Sequence, residues 1–339
     1  MQDFTGNHIL SVSQFDRPQL DQLFIVADAM IPYARREKIT NVLDGAILNN
    51  LFFEPSTRTR ISFGCAFNLL GGQVRETIGI QSSAIAKGES LYDTAKVISG
   101  YSDIIVMRHP EAGSVNKFAE SSRVPVINGG DGSNEHPSQA LLDLYTMKKE
   151  LQRYDRGLDN VKIAMIGDLA HGRTVHSLSQ ILSLYNKVEF TFVSPDQLVM
   201  PAKIVEDLIA KGHSVKQTQT LEEGLADVDI VYQTRIQEER FASQQDADKF
   251  RGAYRINKLV YSRFCQPSTV LMHPLPRDSR EEANELDKDL NEHPNLAIFR
   301  QTDNGVLVRM ALFAMVLDVH QQVDNYAREV NWYTGKRFD

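Results

Sequence analysis

From residue 46 onward, short apolar runs alternate with longer stretches of helical periodicity, and this alternation is what most limits the fold. AILNNLFF (46–53), QVRETIGI, DIIVMRHP and VPVING predict strands, with STRTRISFGCAFNLLGG, LYDTAKVISGY and SVNKFAESSR as helices between them. In the first of these helices Ile61, Cys65 and Leu69 recur at four-residue spacing, and Gly71 and Gly72 close it. Repeated β-α-β of this kind implies a parallel sheet covered on both faces. A long helix, roughly His136 to Leu151, ends in the polar stretch QRYDRGLDN, which marks a domain boundary. A second series follows: VKIAMIGD, RTVHSLSQILSLY, VEFTFVS, AKIVEDLIAKG, HSVKQTQ, LEEGLADV, DIVYQTR and TVLMHPLP. The expected fold is α/β, with two doubly wound parallel-sheet domains joined by helices and divided at 1–150, 151–303 and 304–339. The last strong helix, roughly Val306 to Asn325, comes after the second sheet is complete and is expected to pack back on the first domain.

A chain of 339 residues exceeds one ordinary core and accommodates two domains. Its net charge of −7 argues against a protein that coats nucleic acid, yet leaves room for a local basic pocket. Cys65 and Cys265 lie far apart, in or beside apolar stretches, and fit neither a metal cluster nor a disulfide framework. The N-terminal MQDFTGNHIL has no signal-peptide pattern and no run of 18 apolar residues exists, so a cytoplasmic protein without membrane partners is expected.

In open parallel sheets ligands bind beyond the carboxyl ends of the strands. After the strand ending at Phe53 comes Ser56-Thr57-Arg58-Thr59-Arg60, opening a helix. Its hydroxyls can cap the helix, while the first amides and the helix dipole attract an anion. Arg58 adds a planar fork for phosphate oxygens. Arg58 and Arg60 point about 200° apart on a helix, so Arg58 is assigned to the ligand and Arg60 to a structural ion pair. Arg108-His109-Pro110 follows the next strand, and the loop GDGSNEHPSQ opens the long helix with His136 and Gln139 on one face of its first turn. A neutral His or an amide there can polarise a carbonyl without abstracting a proton.

In the second series GDLAHGRT is one residue from a Walker A motif, but Arg173 stands where the phosphate-binding lysine belongs and suits a carboxylate better. Arg235 and Gln237 follow another strand, and His273-Pro274-Leu275-Pro276-Arg277 follows the last, its prolines stiffening the backbone. Arg173 and Arg235 make a plausible dicarboxylate clamp. Phosphate and carbonyl are thus expected in the first domain and carboxylates in the second.

The motifs FFEPSTRTRISF, KGES, VMRHP, GDGSNEHPSQALLDLYT, GDLAHGRTVHS, TRIQEER and HPLPR, in this order, resemble those of the aspartate carbamoyltransferase catalytic subunits over residues 5 to 320. The resemblance implies that Ser56, Arg58, Thr59, Arg108, His136 and Gln139 bind carbamoyl phosphate, together with main-chain groups of Leu275 and Pro276. It implies that Arg173, Arg235 and Gln237 hold the carboxylates of L-aspartate, and that Lys87, with Ser83, reaches the active site of a neighbouring subunit in a homotrimer. Arg58, Thr59, Arg108 and His136 would be catalytic, no cofactor or metal would be needed, and regulatory chains giving a larger assembly are a further partner class. The product would be N-carbamoyl-L-aspartate, at an early step of pyrimidine biosynthesis.

Pro55 and Ala86 depart from residues common in relatives, an alanine and a second lysine respectively. The tail NYAREVNWYTGKRFD runs past the family's usual end and reads either as a packed helix end or as a contact with another subunit. Ornithine carbamoyltransferases, the nearest rival, usually carry SMG and HCLP where this chain has TRIQEER and HPLP. An enzyme using a nucleoside triphosphate at GDLAHGRT would need a lysine at position 173, and an inactive scaffold is disfavoured because every expected ligand is present.

Overall fold

Strands form at each apolar run of the two alternating series, and one further pair forms outside them. The computed structural model describes residues 4–80, 84–132, 134–236, 252–278, 280–281 and 283–336. Along the chain come β1 (Lys38–Thr40), β2 (Ile47–Phe52), β3 (Gln73–Ile78), β4 (Ile104–His109) and β5 (Val126–Asp131). They are followed by β6 (Lys162–Ile166), β7 (Glu189–Val193), β8 (Ser214–Thr218), β9 (Ile230–Gln233), β10 (Val270–Met272) and β11 (Ala327–Glu329). By compactness the chain divides into one unit of residues 1–142 and 302–339 and another of residues 143–301.

In the first unit the strands lie in the order β3-β2-β4-β5, all parallel. In the second the order is β10-β9-β6-β7-β8, again all parallel. These are the two doubly wound sheets expected from the alternation. Each sheet starts in its middle. The chain runs from β2 to β3 on one side and then returns to β4 on the other; it runs from β6 through β7 to β8 and then returns to β9. A reversal of strand order sends the connections to opposite faces and opens a crevice at the carboxyl ends. It falls between β2 and β4 in the first unit, and between β6 and β9 in the second.

Burial follows position in the sheet. Central β4 is buried throughout, whereas edge strand β3 is largely exposed and carries Arg75 and Glu76, charges that suit an open edge. At the opposite edge β5 is buried as well, because Ile9 continues the sheet: its amide donates to the Val126 carbonyl at 2.9 Å and its carbonyl accepts from Asn128 at 2.8 Å. An amino-terminal helix, Arg17–Ala29, starts from a capping box in which Asp16 and Gln19 bond each other's backbone.

The last long helix spans Ile298–Val316, earlier at both ends than the expected Val306 to Asn325. Its end is set by Asp318, which takes a left-handed φ of 55°. The Val319 amide then reaches the Ala314 carbonyl at 2.7 Å and the Asp318 amide the Met315 carbonyl at 3.2 Å, closing the last turn. Phe313 packs edge-on against Phe63 and Phe67, with ring centroids 5.8 and 5.0 Å apart, so this helix docks on the first unit as expected. The tail is not a continued helix. Residues Ala327–Glu329 pair antiparallel with Lys38–Thr40, a strand pair that neither apolar run announces.

In the second unit a Cβ on Gly167 would lie 2.3 Å from the Thr234 carbonyl, and the residue has a φ of +117°. That absent Cβ lets the ends of β6 and β9 approach. Gly167→Ala is expected to lower stability by at least about 1–3 kcal/mol from the backbone conformation alone, read as a reduced urea midpoint with an unchanged m-value.

Candidate active site

In the first unit the strand ends are joined by main-chain bonds. Phe52 stands level with Ile78 on β3 and Arg108 on β4, and the Phe53 amide donates to the Arg108 carbonyl at 2.9 Å. The chain then turns into the helix Thr57–Leu69 with Ser56 at its N-cap. The Ser56 side chain makes no capping hydrogen bond, so its hydroxyl is not spent on the helix. Its first-turn amides have no intrahelical acceptor and carry the positive end of the helix dipole. Arg58 is exposed, Thr59 is buried, and Arg60 pairs with Glu76 on β3. The structural role expected for Arg60 is the one observed.

Arg108 is buried, and its acceptors include a carboxylate and a carbonyl. Its Nε donates to Glu54 Oε2 at 2.8 Å and its Nη1 to the Gly129 carbonyl at 3.4 Å. Gly130, at a φ of +126°, makes room: a Cβ there would come within 3.0 Å of Nη1. Neither Glu54 nor Gly130 was singled out by sequence reasoning. The signal available for Glu54 was its place between the strand and the STRTR run.

His136 is buried directly ahead of the helix Pro137–Gln152, and its carbonyl accepts the Gln139 amide at 3.0 Å. The Ser138 hydroxyl faces His136 Nδ1 at 3.4 Å; donating to it would leave the proton on Nε2, the tautomer that can polarise a carbonyl. The loop before His136 is braced at both ends. Asp131 Oδ2 accepts the Gly113 amide at 2.9 Å, and the Glu135 carboxylate accepts the Ser11 hydroxyl at 2.7 Å and the Val12 amide at 2.8 Å. Ser56, Arg58, Thr59, Arg108, His136 and Gln139 therefore all stand at the carboxyl ends of β2, β4 and β5, with the strand-order reversal among them.

In the second unit the Thr234 amide and hydroxyl both donate to the Ile166 carbonyl, at 2.8 and 3.0 Å, so the residues after β6 and β9 start from one level. Buried Asp168 accepts the His171 amide at 3.0 Å and shapes the loop. Gly172 permits its tight return, since a Cβ would meet the Asp168 carbonyl at 2.6 Å. Half-buried Arg173 then opens the helix Arg173–Leu182. Half-buried Arg235 follows β9 and acts electrostatically on Asp278, whose carboxyl is held below its usual range by the Arg280 hydrogen bond first and by the charge of Arg235 last. After β10, Leu275 is half-buried and Pro276 exposed. The Leu275 amide donates to His273 Nδ1 at 2.8 Å, which puts the imidazole proton on Nε2 facing Glu285 Oε1 at 2.7 Å. Lys87 is exposed at the end of the turn Ala84–Lys87 after β3. Gln237 and Ser83 lie outside the described residues. Among the described residues no group of His, Cys, Asp and Glu could hold a metal ion, and no helix is long and apolar enough to cross a membrane.

Two parallel α/β units, each presenting arginines and helix-start donors at its strand-order reversal, define an enzyme for small anionic substrates. Residues 7–149 match the aspartate/ornithine carbamoyltransferase carbamoyl-P binding domain, and residues 159–316 match the Asp/Orn binding domain of the same proteins. The aspartate carbamoyltransferase catalytic subunit of Cellvibrio japonicus is 66% identical over 335 residues, 99% of each chain. Among solved structures, the catalytic subunit of M. jannaschii aspartate transcarbamoylase superposes with a TM-score of 0.84 at 41% identity, covering 93% of this chain and 99% of that one. The Trypanosoma cruzi aspartate transcarbamoylase in complex with carbamoyl phosphate and aspartate gives 0.84 at 36% identity, covering 93% and 96%. The chain belongs to the aspartate/ornithine carbamoyltransferase family.

One histidine ties the second-unit loop to pH. His176 Nε2 donates to the Leu169 carbonyl at 2.7 Å, and burial holds its pKa below the ordinary 6.5, opposed by that bond and by Asp168. As pH falls through the unfolded value, the unfolded chain takes up this proton before the folded one, so folding loses stability on the acid side. Between about pH 7 and pH 5 the urea midpoint is expected to fall less in His176→Gln than in the parent chain.

Proposed function

We propose that the protein transfers the carbamoyl group of carbamoyl phosphate to the α-amine of L-aspartate, giving N-carbamoyl-L-aspartate and phosphate, an early step of de novo pyrimidine biosynthesis. The observation that carries this reading is the pair of arginines, Arg173 and Arg235, beyond the carboxyl ends of the adjacent strands β6 and β9. Two planar guanidiniums suit the two carboxylates of aspartate and would repel the side-chain ammonium of ornithine. Gln237 is proposed as a third aspartate ligand. The relatives' names, and a neighbour in complex with carbamoyl phosphate and aspartate, support the same substrates.

Carbamoyl phosphate is assigned to Ser56, Arg58, Thr59, Arg108, His136 and Gln139, with main-chain groups of Leu275 and Pro276. By function the domains are 1–150 for carbamoyl phosphate and 151–303 for aspartate, with 304–339 returning to the first. The aspartate amine attacks the carbamoyl carbon directly. As the tetrahedral intermediate forms, negative charge grows on the carbonyl oxygen, where Thr59, Arg108 and a neutral His136 donate hydrogen bonds from fixed positions. The bond to the phosphate oxygen then breaks, and the departing phosphate takes the amine proton. Neither a covalent enzyme intermediate nor a cofactor enters this sequence. The work of the protein is orientation and electrostatic preorganisation. Lys87 is proposed to complete the site of a neighbouring subunit in a cytoplasmic homotrimer.

Purified protein given carbamoyl phosphate with aspartate is expected to form the ureido product, and with ornithine to form none; the reverse preference would overturn the reading. Site sharing has its own measurement. Mixing inactive Lys87→Ala chains with inactive Arg58→Ala chains is expected to restore activity, because some sites then carry both native residues; no recovery in mixed trimers verified by native mass spectrometry would refute it.

A further inference from the structure

Asp143 is fully buried in the second unit. Its carboxylate receives two hydrogen bonds from neutral side chains, the Tyr232 hydroxyl to Oδ2 at 2.6 Å and Gln301 Nε2 to Oδ1 at 2.7 Å. Each donor extends the connection to one of the loops described above. On one side the Thr174 hydroxyl bonds to the Tyr232 oxygen, and Thr174 is the residue after Arg173. On the other, Gln301 Oε1 accepts the His273 amide at 3.0 Å, and His273 Nδ1 accepts the Leu275 amide at 2.8 Å.

The direction of each bond follows from the last one. The His273 amide can only donate, so Gln301 must turn its oxygen toward it and its NH₂ toward Asp143. Tyr232 accepts from Thr174, so its own proton points at Asp143. Position 143 must therefore accept on both sides, which an ionised carboxylate does and an asparagine of the same shape does not. With an amide at 143, either its NH₂ meets the Gln301 NH₂, or it meets the Tyr232 hydroxyl and leaves that proton without its acceptor. Relief of the first conflict flips Gln301 and sets its NH₂ against the His273 amide, freeing the loop that carries Leu275. Burying a carboxylate is costly, and a side chain needed only to fill this space would more cheaply be apolar.

We propose that Asp143 is a positioning residue that holds the Arg173-Thr174 helix start through one hydrogen-bond arm and the His273-Pro276 loop through the other. The substrate side of this proposal rests on the ligand assignments under the proposed function. Arg173 serves aspartate, so the Tyr232 arm governs the aspartate requirement; Leu275 and Pro276 serve carbamoyl phosphate, so the Gln301 arm governs the carbamoyl phosphate requirement.

Three variants separate these effects. Tyr232→Phe removes only the first arm and is expected to raise the KM for aspartate about tenfold, the factor for one buried hydrogen bond, with the KM for carbamoyl phosphate changed less than about twofold. Gln301→Leu is expected to do the opposite, and Asp143→Asn to raise both. Amide hydrogen exchange of the unliganded variants reads the same arms without any substrate. Exchange in the peptide starting at Arg173 should quicken in Tyr232→Phe, that of His273 and Leu275 in Gln301→Leu, and both in Asp143→Asn. Equal changes at both loops in the two single-arm variants, or none in either, would overturn the proposal, and these variants decide it even if Asp143→Asn does not fold. Arm-specific exchange in a protein that fails to carbamoylate aspartate would uphold the positioning role and sink the substrate assignment instead.

Discussion

Parallel registration of the strand ends is the constraint on which the rest of the molecule depends. In the first unit the Phe53 amide on the Arg108 carbonyl levels β2 with β4; in the second the Thr234 amide on the Ile166 carbonyl levels β6 with β9. Both bonds fall where strand order reverses, so each crevice opens beside a junction of fixed height. Glycines then set how closely neighbours approach. Gly130 admits the Arg108 guanidinium and Gly167 admits the Thr234 carbonyl. A side chain at either position would not merely fill space; it would displace the Arg108 guanidinium or part the ends of β6 and β9.

An acidic protein with a net charge of −7 still places arginines at these ends, and at Arg108 a carboxylate restrains one of them. Arg108 shows how restraint differs from neutralisation. Its guanidinium has five N–H donors in a rigid fork, and Glu54 engages it through Nε while the Gly129 carbonyl faces Nη1. The pair fixes the plane of the fork, so any further hydrogen bond to it costs less orientation entropy. Arg60 spends its charge on Glu76 across an edge strand. Two arginines of one pentapeptide thus differ in setting, Arg58 exposed and Arg60 paired.

Local signals were legible in the sequence, and partnerships across long separations were not. Apolar runs mark β2, β4, β6 and β9 because buried parallel strands need side chains that tolerate burial on both faces. Ser56, Arg58, Arg108, His136, Arg173 and Arg235 could be singled out because each lies at or within several residues of the carboxyl end of a strand, where the structure also places them. Ile9 at the sheet edge and the β1–β11 pair could not, since each is decided by a partner remote in sequence; the Ile298–Val316 helix ends at a left-handed Asp318, a position no glycine marks. Asp143 was equally hidden. Within ALLDLYT it reads as an ordinary polar residue of a helix, and only the packed structure shows both of its oxygens facing donors.

Polar satisfaction inside the second unit has a direction, and that direction carries information that burial alone does not. A row of apolar contacts tolerates exchange among residues of similar volume. A chain of hydrogen bonds does not, because each group's orientation follows from its neighbour: the His273 amide sets Gln301 in one arm, the Thr174 hydroxyl sets Tyr232 in the other, and both arms end on Asp143. The only atoms able to end two converging donor arms are lone pairs on both sides of one group. A buried carboxylate supplies them, and this explains in physical terms why so costly a residue occupies a place where a leucine would pack.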